Sequence, residues 1–143
     1  MLQLDRWIIA ASLCLLICGC GGGNGLATAP TTGEVTYQGK PLPYGSVSFR
    51  PKAGSPATGD IQADGTFTLT TYSDGDGAIV GMHEVLISAT EAHARTAQPV
   101  EAGMEAPVPK SLIPQKYTSF STSGITAEVK PGEKNHVVIE LKD

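Results

Sequence analysis

The chain has 143 residues, with 10 basic and 14 acidic side chains, a net charge of −4 and 41% hydrophobic content. That length holds one ordinary domain with a tail and leaves no room for two. The mild acidity, with no clustered stripe of lysine or arginine, argues against nucleic acid as a partner.

The first nineteen residues have the three parts of a secretory signal: a start carrying Arg6 beside Asp5, an apolar stretch from Trp7 to Ile17, and small residues at the exit. The apolar stretch is about half of the roughly 20 residues that a helix needs to cross a bilayer. It therefore reads as a signal core. All three cysteines, Cys14, Cys18 and Cys20, lie in the first twenty residues, the last of them against a glycine run.

The stretch Ile17-Cys18-Gly19-Cys20 resembles the lipobox of bacterial lipoproteins, in which an aliphatic residue and two small ones precede an invariant cysteine. The resemblance implies cleavage between Gly19 and Cys20, a diacylglyceryl group on the Cys20 thiol, and acylation of the new amino terminus by palmitate or a similar chain. Ordinary signal cleavage and an uncleaved anchor are the alternatives. About two acyl chains give stable membrane attachment, at roughly 0.8 kcal/mol per buried methylene. Cys14 and Cys18 leave with the signal, so residues 20–143 carry no free thiol and no disulfide. Arg6 and Asp5 leave together, and the net charge is unchanged.

Cys20 and residues 21–30, "GGGNGLATAP", read as a tether whose flexible segment reaches roughly 16 to 19 Å. Gly21 stands where enteric lipoproteins kept at the inner membrane carry Asp. By that resemblance, the expected place is the bacterial cell envelope, with the outer membrane favoured over the inner.

From Thr31 onward short alternating runs separated by turn signals predict an all-β domain over 31–143. "GEVTY" sets Val35 and Tyr37 on one face. "GKPLPYG" turns the chain, and "SVSFR" places Val47 and Phe49 inward. After the loop "PKAGSPATG", Asp64-Gly65 between "DIQA" and "TFTLTT" signals a hairpin with Phe67 and Leu69 inside. "GMHEVLISA" points Val85, Ile87 and Ala89 inward. "GITAEV" and "NHVVIEL" supply the last two strands around the turn "KPGEK". Seven one-sided strands and no amphipathic helix predict an antiparallel β-sandwich.

"GEVTYQGKPLPYGSVSFRP", "ADGTFTLTT" and "GMHEVLISA" together resemble the carboxypeptidase regulatory-like family. The resemblance covers Thr31 to Ala89 and extends through "IPQKYTSFSTSGITAEVKPGEKN" to small bacterial lipoproteins built on one such domain. It implies a transthyretin-like (prealbumin-like, Ig-like) seven-stranded sandwich. It implies no chemistry, because each distinctive residue is a turn or core position.

Asp74 and Asp76 alternate in "SDGDGA", as ligands of a calcium loop do, but the fifth-position acid and the twelfth-position Glu of an EF-hand are missing, with Val85 at the latter. A solvated turn is the competing reading. His83, His93 and His136 lack zinc spacing, and the expectation places His83 and His136 at sheet edges or on solvent faces. No Gly-x-Ser-x-Gly elbow is present, and the chain ends in "IELKD" where hydroxyisourate hydrolases of related fold carry Tyr-Arg-Gly-Ser. No cofactor or metal is expected.

Residues 90–112 read as a long loop without regular structure. Ile113 and Tyr117 are spaced for one helical turn covering an end of the sandwich, with Tyr117 as the expected partner contact. The functional expectation is a lipid-anchored envelope protein with a non-catalytic module that pairs with the membrane and with another envelope protein. A binding module for a small ligand or glycan is the alternative, and a hydrolase ranks behind both.

Overall fold

Alternation with period two dominates the residues that the computed structural model describes, 25–91 and 110–143, and the result is an all-β architecture. The strands are β1 (Thr28–Ala29), β2 (Thr31–Tyr37), β3 (Lys40–Pro41), β4 (Gly45–Pro51), β5 (Ala57–Ile61), β6 (Thr66–Thr68), β7 (Ala78–Ile79), β8 (Gly81–Ser88), β9 (Ile125–Val129) and β10 (Asn135–Leu141). A 3-10 turn, Gln115–Thr118, and a single α-helical turn, Phe120–Ser123, precede β9. Among the described residues no helix is long and apolar enough to cross a membrane.

One sheet runs β5-β4-β8-β9 and is antiparallel throughout. In the other, β2 is central: β10 lies on one side, and β6 and β3 share the other. β10 runs parallel to β2 from Asn135↔Thr31 to Leu141↔Tyr37, which corrects the expectation of purely antiparallel pairing. The reason lies in the crossover. β9 ends in the first sheet, and the turn after it delivers the chain to the second sheet in the same direction as β2. Asn135 fixes that turn: its amide oxygen accepts the Lys130 N–H at 2.9 Å, and its amide nitrogen donates to the carbonyls of Lys130 (3.0 Å) and Glu133 (3.2 Å).

The inward side chains of both sheets form one core. Val35, Phe67, Ile139 and Leu141 from the β2 sheet meet Val47, Phe49, Val85, Ile87 and Val129 from the other. Each such side chain contributes roughly 1.5–3 kcal/mol when fully buried. Phe49 and Phe67 meet across the sheets in a tilted pair, with ring centroids 6.2 Å apart.

Four local differences from the sequence reading have physical causes. Thr28 and Ala29, expected in the tether, form β1 against β7, and Ala29 is buried. The close approach depends on Gly77, which has φ +86°, and a Cβ there would stand 1.8 Å from the Ala29 carbonyl oxygen. The Asp64-Gly65 hairpin has a three-residue loop, because Gln62 N–H donates to Thr66 O and Gly65 N–H to Gln62 O. This is the turn-plus-bulge arrangement with glycine in the left-handed region.

His83 is 2% exposed, against the expectation of an edge or solvent position. It is the residue two before Val85 on β8 and shares the inward face, packing 5.7 Å from the Phe49 ring and donating through Nε2 to the Ile79 carbonyl at 2.6 Å. Finally, both ends of the expected 90–112 loop belong to the fold. Thr90 bridges Ser111, and Leu112 N–H donates to Ala89 O. Positions 92–109, including His93, lie outside the described residues.

Candidate functional site

Gly19 and Cys20 lie outside the described residues. The other sequence-derived candidates are Asp74, Asp76 and Tyr117, and the fold gives each a different task.

Asp76 closes a loop. Its Oδ1 accepts the Thr71 N–H at 2.7 Å, and its Oδ2 accepts the N–H groups of Tyr72 (2.9 Å) and Ser73 (3.1 Å). Partial desolvation pushes this carboxyl upward, but the backbone donors favour the ionised form more strongly and hold its pKa below the ordinary 3.8. Both oxygens are thus engaged by the protein's own backbone. Asp74 is exposed and opens onto a groove. The alternation that resembled a calcium loop separates the two acids into an inward clamp and an outward group. Among the described residues no three His, Cys, Asp or Glu side chains converge as a metal site.

Tyr117 is 8% exposed and belongs to the core. Its hydroxyl donates to the Lys142 carbonyl at 2.8 Å and accepts the Lys142 N–H at 3.1 Å, pinning the chain just after β10. The expected contact residue is therefore an internal clasp. The spacing of Ile113 and Tyr117 places both of them inward, where the ring has no free face to offer a partner.

What sequence reading missed is a surface assembled by register. β5 and β6 join the two sheets along one side: Thr58 bridges Thr70, and Gln62 pairs with Thr66 around the hairpin. Asp60 therefore stands opposite Thr68. Combined with the pairs His136↔Thr32, Thr32↔Thr68, Asp60↔Ser46 and Ser46↔Ser88, this places His136, Thr32, Thr68, Asp60, Ser46 and Ser88 in one transverse row. Every member is polar. Each belongs to the set of its strand that alternates with the core residues, and so all of them lie on the outer face.

The strands come unusually close where the sheets join, since a Cβ on Gly59 would sit 2.4 Å from the Thr68 carbonyl oxygen. The surface there forms a groove of about 600 Å³ lined by His136, Thr32, Thr68, Asp60 and Ser46 of this row, by Thr58, Gln62, Thr66 and Thr70 beside it, and by Asp74. Among the described residues, the side chains of Ser46, Thr58, Asp60, Thr68 and Asp74 make no hydrogen bond within the protein. No lysine or arginine lines the groove. The signal was present in the sequence as "SVSFR", "ATGDI" and "TFTLT", whose outward positions carry hydroxyls, but only the pairing register brings those segments together.

The edge of β10 is the other exposed feature. Asn135 N–H donates to Pro30 O, and Leu141 O accepts from Gln38 N–H. The odd-numbered residues of β10 thus turn their main-chain groups toward β2. His136, Val138 and Glu140 turn theirs away, to a side that pairs with no strand among the described residues. Val138 is 54% exposed. Comparison of the chain with protein-family models, with characterised proteins and with solved structures finds no match.

Proposed function

We propose that this chain is a lipid-anchored protein of the bacterial cell envelope whose transthyretin-like, carboxypeptidase regulatory-like sandwich is a non-catalytic structural or interaction module. The observation that carries the reading is Ile17-Cys18-Gly19-Cys20, placed at the end of a signal-like apolar stretch and followed after a short glycine-rich run by a β domain whose first strand begins at Thr28. A diacylated Cys20 fixes the domain beside a membrane. The outer edge of β10, which pairs with no strand among the described residues and has outward donors and acceptors at three successive alternate residues, gives an extended segment of another envelope protein a template for strand addition.

The test is mass spectrometry of the chain recovered from the membranes of a bacterial host fed an alkyne analogue of palmitate. The expected result is an amino-terminal peptide beginning at Cys20 and carrying diacylglyceryl and acyl mass, with label lost in Cys20→Ser. An unmodified amino terminus, or label that survives Cys20→Ser, overturns the anchor.

A further inference from the structure

The groove between β10 and β4 has a chemistry that neither the anchor nor the β10 edge uses. Serine and threonine hydroxyls each supply one donor and two acceptor positions, and ionised carboxylates accept only. In the transverse row these groups recur strand by strand, at the roughly 4.8 Å strand spacing, a step close to the length of one pyranose unit. A ligand that matches them must itself both donate and accept at short, regular intervals. Asp60 and Asp74 have no ion-pair partner among the described residues, and beside His136 the lining has no lysine or arginine to offset them. Acidic ligands are repelled there. Phe67 also lines the groove, but it is only 2% exposed. Recognition therefore rests on hydrogen bonds, with no ring available for stacking.

We infer that this groove binds a polyhydroxylated saccharide lacking acidic groups, laid across the strands with its hydroxyl or amino groups directed at Asp60, Asp74, Thr58, Thr68 and Ser46. The Asp76 clamp is a positioning device for the site, since it shapes the loop that presents Asp74. This inference is independent of the lipid anchor.

The test uses the full chain in detergent micelles and three probes: a neutral β-glucan tetrasaccharide, a glucosamine tetrasaccharide and a galacturonic acid tetrasaccharide. Binding is read by saturation-transfer NMR and by titration of backbone amide shifts. The expected result is binding of the neutral probe, the amino probe or both, with shifts confined to the groove-lining parts of β2, β4, β5, β6 and β10 and to the 71–77 loop, and exclusion of the acidic one. Asp60→Asn and Thr68→Val replace exposed residues and are expected to keep the wild-type thermal transition. Asp60→Asn should weaken binding about tenfold or more, as loss of hydrogen bonds to a charged group does, and Thr68→Val by a smaller factor. Asp74→Asn stands in if either variant fails to fold. Absence of binding by both non-acidic probes at millimolar concentration overturns the inference. So does equal binding of the acidic probe, or affinity unchanged in the variants.

Discussion

Asp76 shows how one carboxylate can hold a loop. Three backbone N–H groups converge on its two oxygens, and Asp76→Ala leaves them without that acceptor. The expected cost is about 1–3 kcal/mol in chemical denaturation at pH 7. The sign of the pH dependence follows from the depressed folded-state pKa. The contribution is complete above the unfolded value near 3.9 and fades as pH falls through the lower folded value. The stability gap between wild type and Asp76→Ala should accordingly be constant from pH 7 to about 5 and shrink below about 4. A gap that stays the same at pH 3 would show that the loop is held by other groups.

His83 is the clearest case of a residue that was legible but read the wrong way. Its place in "GMHEVLISA" is in phase with Val85 and Ile87, so the same alternation that put those two in the core also put the imidazole there. The expectation of a solvent position came from the residue type, and the period prevailed because a sheet one residue out of phase turns every side chain over. The buried Nε2 finds the Ile79 carbonyl, while Nδ1 is buried with no partner.

At the scale of elements, the long alternating strands and the Asp64-Gly65 turn could be read directly, because each is encoded by neighbours in sequence. The two-residue strands β1 and β7 could not, since each is a strand only by virtue of the other. The groove was hidden for the same reason: its polar side chains come from five strands and a loop, and single-chain periodicity says which face they take but not what stands beside them. The helical turn before β9 was legible in the Ile113 and Tyr117 spacing, but its purpose was not. Tyr117 ties that turn to the end of β10 through both the donor and the acceptor of its hydroxyl. Tyr117→Phe keeps the ring in the core and removes the tie. A loss of about 1 kcal/mol is expected, with faster hydrogen exchange concentrated at the Lys142 amide. Uniform acceleration across the domain would instead assign Tyr117 a packing role only.

At the scale of the whole molecule, the proposed anchoring would make the amino-terminal strap matter most, because any pull from the membrane would reach the domain through it. The strap is secured by β1 against β7, by the Val80 N–H bond to Ala27 O at 3.0 Å, and by the absence of a side chain at Gly77. Gly77→Ala adds a methyl group where the Ala29 carbonyl already stands and forces a non-glycine residue to positive φ. The expected outcome is a domain that folds with β1 released, costing about 1–3 kcal/mol and seen as lost exchange protection at Val80 while Val85 and Ile87 stay protected. Retained protection at Val80 would mean that the strap is held from elsewhere.

The parallel pairing of β2 with β10 has a consequence in time. Residues about 104 apart in sequence, such as Thr32 and His136, become neighbours only when the last strand arrives, and pairings of such separation form late because the whole intervening chain must first be brought together. Until β10 has left the ribosome, the central strand of one sheet lacks its parallel neighbour, and the core lacks Ile139 and Leu141. A nascent chain from which β10 has not yet emerged is thus still open. On the proposed reading of an exported chain, that is the condition in which it could still be threaded through a membrane, with β10 as the lock that would close on the far side.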